Sequence, residues 1–206
     1  MPTLKIESAY KGRVGGIDEA GRGPWAGPVV AAVAVFEDPS SLPSLWFETI
    51  QDSKKLSKLK REALYKDLLN LELFHYGIGI ASVEEIDSLN ILQATFLAMK
   101  RAVNTLSFKP DALLVDGKYI PSFENIQTRP VIGGDNLSLS IAAASIIAKV
   151  SRDRMMEDLS QTFPYYGWER NAGYGTAEHQ KALKIHGLTA HHRKSFAPIK
   201  AFLNPL

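Results

Sequence analysis

The stretch Val14-Gly15-Gly16-Ile17-Asp18-Glu19-Ala20-Gly21-Arg22-Gly23-Pro24 sets a short apolar run against a glycine-rich turn, with two acids at the junction. Val14 to Asp18 reads as a β-strand and Gly21-Arg22-Gly23 as the turn that follows it. The next segment, Pro28 to Phe36, is apolar throughout, as in a strand buried on both faces. Phe74, Tyr76, Ile78 and Ile80 alternate with His75, Gly77 and Gly79, which predicts a third strand with one strongly apolar face. Three strands in early succession imply an antiparallel start to a sheet.

Beyond this nucleus the pattern becomes helical. Ser57 to Leu71 has helical spacing with Ser57 as N-cap, and a helix starting near Ser82, with Glu84 and Glu85 in its first turn, is expected to run to Leu106. Ala112 to Asp116 is an apolar run closed by a carboxylate and a glycine, the pattern of a buried strand that delivers a side chain at its tip. Leu137 to Leu159 is the longest helical candidate, and its small residues Ala142, Ala143, Ala144 and Ser145 allow close approach to a sheet. A last helix is expected over Thr176 to Ile185. Strands alternating with helices predict an α/β layer fold. With no repeat and no Pro/Gly/Ser linker, residues 1–206 are expected to form one domain.

Composition narrows the chemistry. A chain of 206 residues that is 45% hydrophobic and 22% charged buries one real core. No window has the apolar length of a membrane span, and Lys5, Lys11 and Arg13 lead into no signal-peptide core, so a cytoplasmic protein is expected. The absence of cysteine excludes disulfides, thiolate zinc sites and cysteine nucleophiles, leaving oxygen or imidazole ligands for any metal. Net charge is only +2, but no acid follows Glu178, while Lys181, Lys184, Arg193, Lys194 and Lys200 fall there with four histidines. Such a tail suits a phosphate backbone, and His191-His192-Arg193-Lys194 reads as phosphate contact rather than a metal site. The cluster Lys54, Lys55, Lys58, Lys60, Arg61 and Lys66 has helical spacing and reads as a solvated helix face.

Taken singly, each acid has a plain reading: a solvated loop pair for Asp18 and Glu19, a turn former for Asp116, an N-cap for Asp135. Placed together they differ, because Asp116 follows Leu113-Leu114-Val115 and Asp135 stands in Gly133-Gly134-Asp135-Asn136 just before the long helix. Carboxylates converging from strand ends and a helix start form a negative, oxygen-rich site suited to Mg²⁺ or Mn²⁺. No Gly-x-Ser-x-Gly elbow is present, and Ser145 lies mid-helix, where a nucleophile is poorly presented.

The chain resembles the type 2 ribonucleases H, specifically bacterial ribonuclease HII, over roughly Val14 to Pro198. The motifs that carry the likeness occur in order. They are Gly-Ile-Asp-Glu-Ala-Gly-Arg-Gly at 16–23, Asp52-Ser53-Lys54-Lys55-Leu56, Ile86-Asp87 with Asn90-Ile91-Leu92, and Val115-Asp116-Gly117. After these come Gly134-Asp135, Ala143 to Val150 with Arg152-Asp153, Gly173-Tyr174 and His192-Arg193. The resemblance implies a ribonuclease H-like fold, a mixed central sheet flanked by helices, with a small helical C-terminal region from about residue 160 covering the duplex. It implies that Asp18, Glu19, Asp116 and Asp135 bind two divalent ions, Mg²⁺ or Mn²⁺. It also implies that Gly21, Arg22 and Gly23 read the RNA–DNA junction, that Tyr174 meets the neighbouring sugar, and that Lys54 and Ser145 line the groove. The implied substrates are RNA–DNA hybrids and duplex DNA with embedded ribonucleotides. Cleavage is implied 5′ of the ribonucleotide, leaving 3′-hydroxyl and 5′-phosphate ends, by a monomer.

The residues add detail to that picture. Neighbours on a regular strand point to opposite faces, so the strand is expected to break at Glu19 if both acids serve one ion pair. Gly21 and Gly23 let the backbone approach a sugar, with amides and carbonyls available to its 2′-hydroxyl, and Arg22 suits a phosphate. Trp25, Trp46 and Trp168 read as packing residues, and Asp153 as a helix-surface or supporting acid. The short segment before the first strand argues against the ribonuclease HIII subtype, which carries an extra N-terminal domain. A rival reading is a catalytically silent nucleic-acid-binding module on the same fold, though such a module has no need of four carboxylates. Another two-metal nuclease of this fold is a second rival, disfavoured by the Gly-Arg-Gly turn and Tyr174.

Overall fold

The first strand, β1 (Val14–Ala20), pairs antiparallel with β2 (Val29–Phe36), which pairs antiparallel with β3 (Phe74–Ala81). The chain then crosses over: β4 (Ala112–Asp116) lies parallel to β1, and β5 (Gln127–Val131) parallel to β4. The result is a five-stranded mixed sheet in the order β3-β2-β1-β4-β5. The computed structural model describes residues 2–37, 50 and 56–203. Lys54 and Trp46 lie outside the described residues.

Every residue of β2 is buried, as its unbroken apolar sequence requires of a strand covered on both faces. One face carries the long helix α4 (Leu139–Thr162), whose alanines Ala142, Ala143 and Ala144 pack on Ala32 and Ala34. Small residues on both surfaces let helix and sheet approach closely. The limit is reached at Gly16, where a Cβ would sit 2.1 Å from the backbone carbon of Ser140. The opposite face carries α3 (Ile91–Asn104), whose Ala94, Ala98 and Met99 meet Ile17, Val33 and Leu113. A third cluster joins Ala26 and Met156 to the elements after α4, namely α5 (Trp168–Asn171), α6 (Ala177–His186) and α7 (Ala197–Leu203). Each large apolar side chain fully buried there or in the sheet contributes about 1.5–3 kcal/mol.

Local signals set the remaining boundaries. Ser57 caps α1 (Lys58–Leu69) by accepting from the Lys60 amide at 3.4 Å. Ser82 and Glu85 form a reciprocal capping box at the start of α2 (Val83–Leu89). The single helix expected to Leu106 is two, because Asn90 adopts φ 74° and its side chain accepts from the Leu92 and Gln93 amides to start α3 anew. The cap of α4 is Ser138, not Asp135, which lies in a preceding 3₁₀ turn, Gly134–Asn136. Buried Glu7 reinforces that start by accepting from Ser138 Oγ, Ser140 N and Ser140 Oγ at 2.6–3.0 Å. Strand β5 has no apolar periodicity and was not expected: Gln127, Arg129 and Pro130 are exposed on the sheet's edge. Among the described residues no helix is long and apolar enough to cross a membrane.

Candidate active site

The parallel ladder between β1 and β4 ends at Ile17 and Val115, so the next residues in register are Asp116, which closes β4, and Asp18, two residues before the end of β1. This is the end of an α/β sheet where ligands bind. Asp116 Oδ1 accepts from the Gly134 amide at 2.7 Å, which brings the turn holding Asp135 against the tip of β4. Asp18 is 3% exposed and Asp135 7%. Asp18 Oδ1 accepts from the Glu19 amide at 2.7 Å just where β4 no longer flanks β1.

The strand does not break at Glu19. Its pairing with β2 continues through Asp18–Ala32, Glu19–Ala31 and Ala20–Val30, because β2 offers an unbroken apolar partner. Asp18 and Glu19 therefore leave opposite faces of a regular strand. Glu19 meets Arg22, whose Nη1 lies 3.1 Å from Glu19 Oε1. Arg22 thus holds a carboxylate with one arm of its fork, and its side chain is half-exposed.

Glu19 opens into a cleft of about 350 Å³ lined by Gly21, Arg22, Gly23, Ser145, Lys149 and Tyr174, with Arg61 and Arg152 completing it. The expected Gly21, Arg22, Gly23, Ser145 and Tyr174 thus come together, although sequence separates them by more than a hundred positions. Arg61, read as part of a solvated helix face, reaches the cleft from α1. Lys149 lines it from α4 while pairing with Asp153 at 2.7 Å, one helical turn on.

The two turn glycines differ. Gly21 adopts φ +95°, and a Cβ there would lie 2.0 Å from Arg152 Nε, whereas at Gly23 the one near atom among the described residues is Tyr174 Cε1 at 3.4 Å. Gly21 is glycine because a buried arginine occupies its side-chain direction; at Gly23 the described residues leave only ordinary contact with the Tyr174 ring.

Two fully buried arginines support this turn from beneath. Arg152 donates to the carbonyls of Pro28, Ala172 and Ala26 at 2.9–3.1 Å. Arg193 donates to those of Gly27, Arg22, Gly21 and Pro28 at 2.5–3.1 Å. Burial pushes the Arg152 guanidinium down to about 10. Burial, with Arg152 beside it, pushes Arg193 down to about 9. Arg193 is therefore no phosphate contact, and the Gly21 and Arg22 carbonyls are not open to substrate as the sequence suggested. Nothing in local sequence distinguishes such an arginine from a surface one, since its partners are carbonyls about 165 to 172 positions away.

Tyr174 is about half-exposed, and its carbonyl accepts from His179 Nδ1 at 2.9 Å. His179 and His192 are fully buried, which removes both from the expected phosphate-facing tail. The Thr189 amide donates to His192 Nδ1 at 2.9 Å, so the neutral ring carries its proton on Nε2 and donates to His179 Nε2 at 3.0 Å. Trp168 Nε1 donates to that same His179 nitrogen at 3.3 Å, leaving the His179 proton on Nδ1 for Tyr174. This chain works only with both rings neutral. Burial depresses His179, and burial with His179 nearby depresses His192 to about 4. The packing roles expected of Trp168 and Trp25 hold: Trp168 is fully buried, and the Trp25 ring fills the side-chain direction of Gly175.

Among the described residues no three Asp, Glu or His side chains form a closed metal-ligand cluster. The donors at the sheet end are nonetheless all carboxylate oxygens, the chemistry that fits a hard divalent cation.

A mixed five-stranded sheet with carboxylates at its strand ends beside a basic cleft defines the ribonuclease H class of fold. The model of the family described as Ribonuclease HII matches residues 15–199. The chain is 56% identical over 203 residues to ribonuclease HII of Paramagnetospirillum magneticum, covering 98% of this chain and 99% of that one. It is 54% identical over 202 residues to ribonuclease HII of Gluconobacter oxydans, covering 97% and 95%. Its structure resembles that of ribonuclease H2 from Pyrococcus horikoshii OT3, with TM-score 0.75 and 28% identity over 92% of this chain and 96% of the other. The chain belongs to the ribonuclease HII family. It is thus an enzyme, a type 2 ribonuclease H and an endonuclease.

Proposed function

We propose that this enzyme hydrolyses the RNA strand of RNA–DNA hybrids and cuts 5′ of ribonucleotides embedded in duplex DNA, leaving a 3′-hydroxyl and a 5′-phosphate. The observation that carries this reading is the junction of two features: carboxylates just past the end of the β1–β4 ladder, and a cleft in which Gly21-Arg22-Gly23 faces Tyr174. Asp18, Glu19, Asp116 and Asp135 would hold two divalent cations, Mg²⁺ or Mn²⁺. When bound, such a pair activates water and neutralises charge on the phosphate undergoing displacement.

The chain's own residues do the recognition. With their carbonyls taken by Arg193, Gly21 and Arg22 leave the turn's amides to meet the ribose, so the 2′-hydroxyl acts as acceptor toward the turn. The Tyr174 ring packs on the following deoxyribose, and together the two elements read a junction rather than RNA alone. Arg61 and Lys149 supply positive charge to the backbone of the duplex. The segment from about residue 160 covers the duplex and presents Tyr174. The enzyme works as a monomer on these substrates.

The test is incubation, with Mg²⁺, of three matched duplexes carrying one ribonucleotide, a ribonucleotide tract, or none. Cutting of the first two and not the third supports the reading; equal treatment of all three contradicts it.

A further inference from the structure

The geometry points to Arg193 as a positioning residue for substrate discrimination: it turns the Gly21-Arg22-Gly23 backbone so that two successive amides face the cleft. This inference rests on the proposed role of the turn in reading the 2′-hydroxyl. In a trans peptide the carbonyl and the following N–H point in opposite directions, and the described residues contain no cis bond. Gly21 O lies 2.5 Å from Arg193 Nη2 and Arg22 O 3.0 Å from Nη1. The Arg22 and Gly23 amides are consequently directed away from the guanidinium. Both residues line the cleft, and among the described residues neither amide has a protein acceptor.

The same guanidinium grips the far leg of the loop through Gly27 O at 2.9 Å and Pro28 O at 3.1 Å. One rigid fork therefore fixes the separation of the two legs as well as the rotation of two peptide planes. Lysine has three donors on one atom and no plane, so it cannot serve four carbonyls spread over two strands of chain. The Arg193 amide adds a bond to Trp25 O at 2.8 Å, holding the arginine's own backbone to the same loop. Arg152 fills the space above Gly21 and takes Ala26 O and a further bond to Pro28 O, but it touches neither the Gly21 nor the Arg22 carbonyl. Among the described residues, Arg193 alone bonds the two carbonyls that set the direction of these amides.

The test compares Arg193→Lys and Arg193→Gln with wild type, using circular dichroism to verify folding. Two quantities are read: affinity for an all-DNA duplex against the same duplex with one ribonucleotide, and kcat/KM on the latter. The expected result for Arg193→Lys is unchanged affinity for all-DNA duplex, loss of the preference for the ribonucleotide duplex, and kcat/KM lower by about ten- to a hundred-fold. A variant that binds and cuts less well but keeps the full preference overturns the inference, since a purely structural role lowers everything together. Should both variants fail to fold, amide NMR of the ¹⁵N-labelled wild type decides. The Arg22 and Gly23 resonances must shift more on adding ribonucleotide duplex than on adding all-DNA duplex, and equal shifts overturn the inference. Wild type that cuts no ribonucleotide-containing duplex defeats the functional reading itself, and this inference with it. Wild type that cuts beside a Lys variant that keeps its preference defeats the inference alone.

Discussion

Replacing Gly21 and Gly23 separately by alanine tests the division of labour in the turn, because the two substitutions meet different surroundings. At Gly21 an alanine must hold φ near +95°, which costs about 1–2 kcal/mol for a residue with a Cβ. That Cβ would also lie 2.0 Å from Arg152 Nε and 2.8 Å from Pro28 O. Overpacking of this kind costs about 1–3 kcal/mol more. A total near 3 kcal/mol lowers Tm by about 6–12 °C in a chain of this length. Gly23 carries no positive-φ requirement, and its nearest atom among the described residues, Tyr174 Cε1 at 3.4 Å, leaves ordinary van der Waals contact. Gly23→Ala should therefore keep Tm within about 2 °C, since an uncrowded change stays near 0.5 kcal/mol. It should still lower kcat/KM on a single-ribonucleotide duplex, because the new methyl group enters the cleft beside Tyr174. Thermal denaturation followed by circular dichroism, with kinetics on the same samples, separates the two effects. Equal losses of Tm at both positions, or a Gly21→Ala protein as stable as wild type, would refute the claim that Arg152 dictates glycine at 21.

Asp18→Asn keeps the oxygen that accepts from the Glu19 amide at 2.7 Å but removes ligand charge, so cleavage should fall at least about a thousand-fold while the fold persists; near-normal turnover with Mg²⁺ overturns the site. Tyr174→Phe should be mild and Tyr174→Ala should slow cutting at one embedded ribonucleotide by about ten- to a hundred-fold, with a smaller loss on an RNA tract. Equal losses on both substrates make Tyr174 a general groove contact. For His192 the folded value of about 4 lies below the ordinary value of about 6.5, so the unfolded chain binds the extra proton between them. Stability is then complete above about pH 6.5 and declines by up to about 3 kcal/mol as pH falls to about 4. The Tm of His192→Asn should depend less on pH across that window, and an unchanged slope contradicts the assignment.

The strands β1 to β4 and the acids at their tips were legible because apolar runs and period-two alternation record burial directly, residue by residue. The cleft was legible through its motifs: Glu19, Gly21, Arg22, Gly23, Ser145 and Tyr174 do line one cavity. What escaped was the reason for individual residues. Arg193, His179 and His192 read as a basic tail facing phosphate, yet each is fully buried. A charged or titratable side chain looks the same in sequence whether its partner is solvent or a carbonyl brought close by folding. Gly21 was read as leaving room for a sugar, whereas its missing Cβ leaves room for Arg152. The expected break at Glu19 followed from requiring both acids to face one ion pair, but the demand of β2 for a pairing partner outweighs it. Strand β5 and the division at Asn90 were hidden for opposite reasons: one lacks an apolar pattern, and the other interrupts a helical pattern that continues on both sides. Lys54 falls outside the described residues, so its place in the groove rests on the family motif.

The most direct test of the account is to map the cut on a DNA duplex carrying one ribonucleotide, with each strand end-labelled in turn and Mg²⁺ present. The account predicts one incision, on the ribonucleotide-containing strand and on the 5′ side of that residue, with a 3′-hydroxyl on one product and a 5′-phosphate on the other. The all-DNA duplex should remain intact. Incision of the all-DNA duplex at a comparable rate, or no incision of the ribonucleotide strand by folded protein, would contradict it.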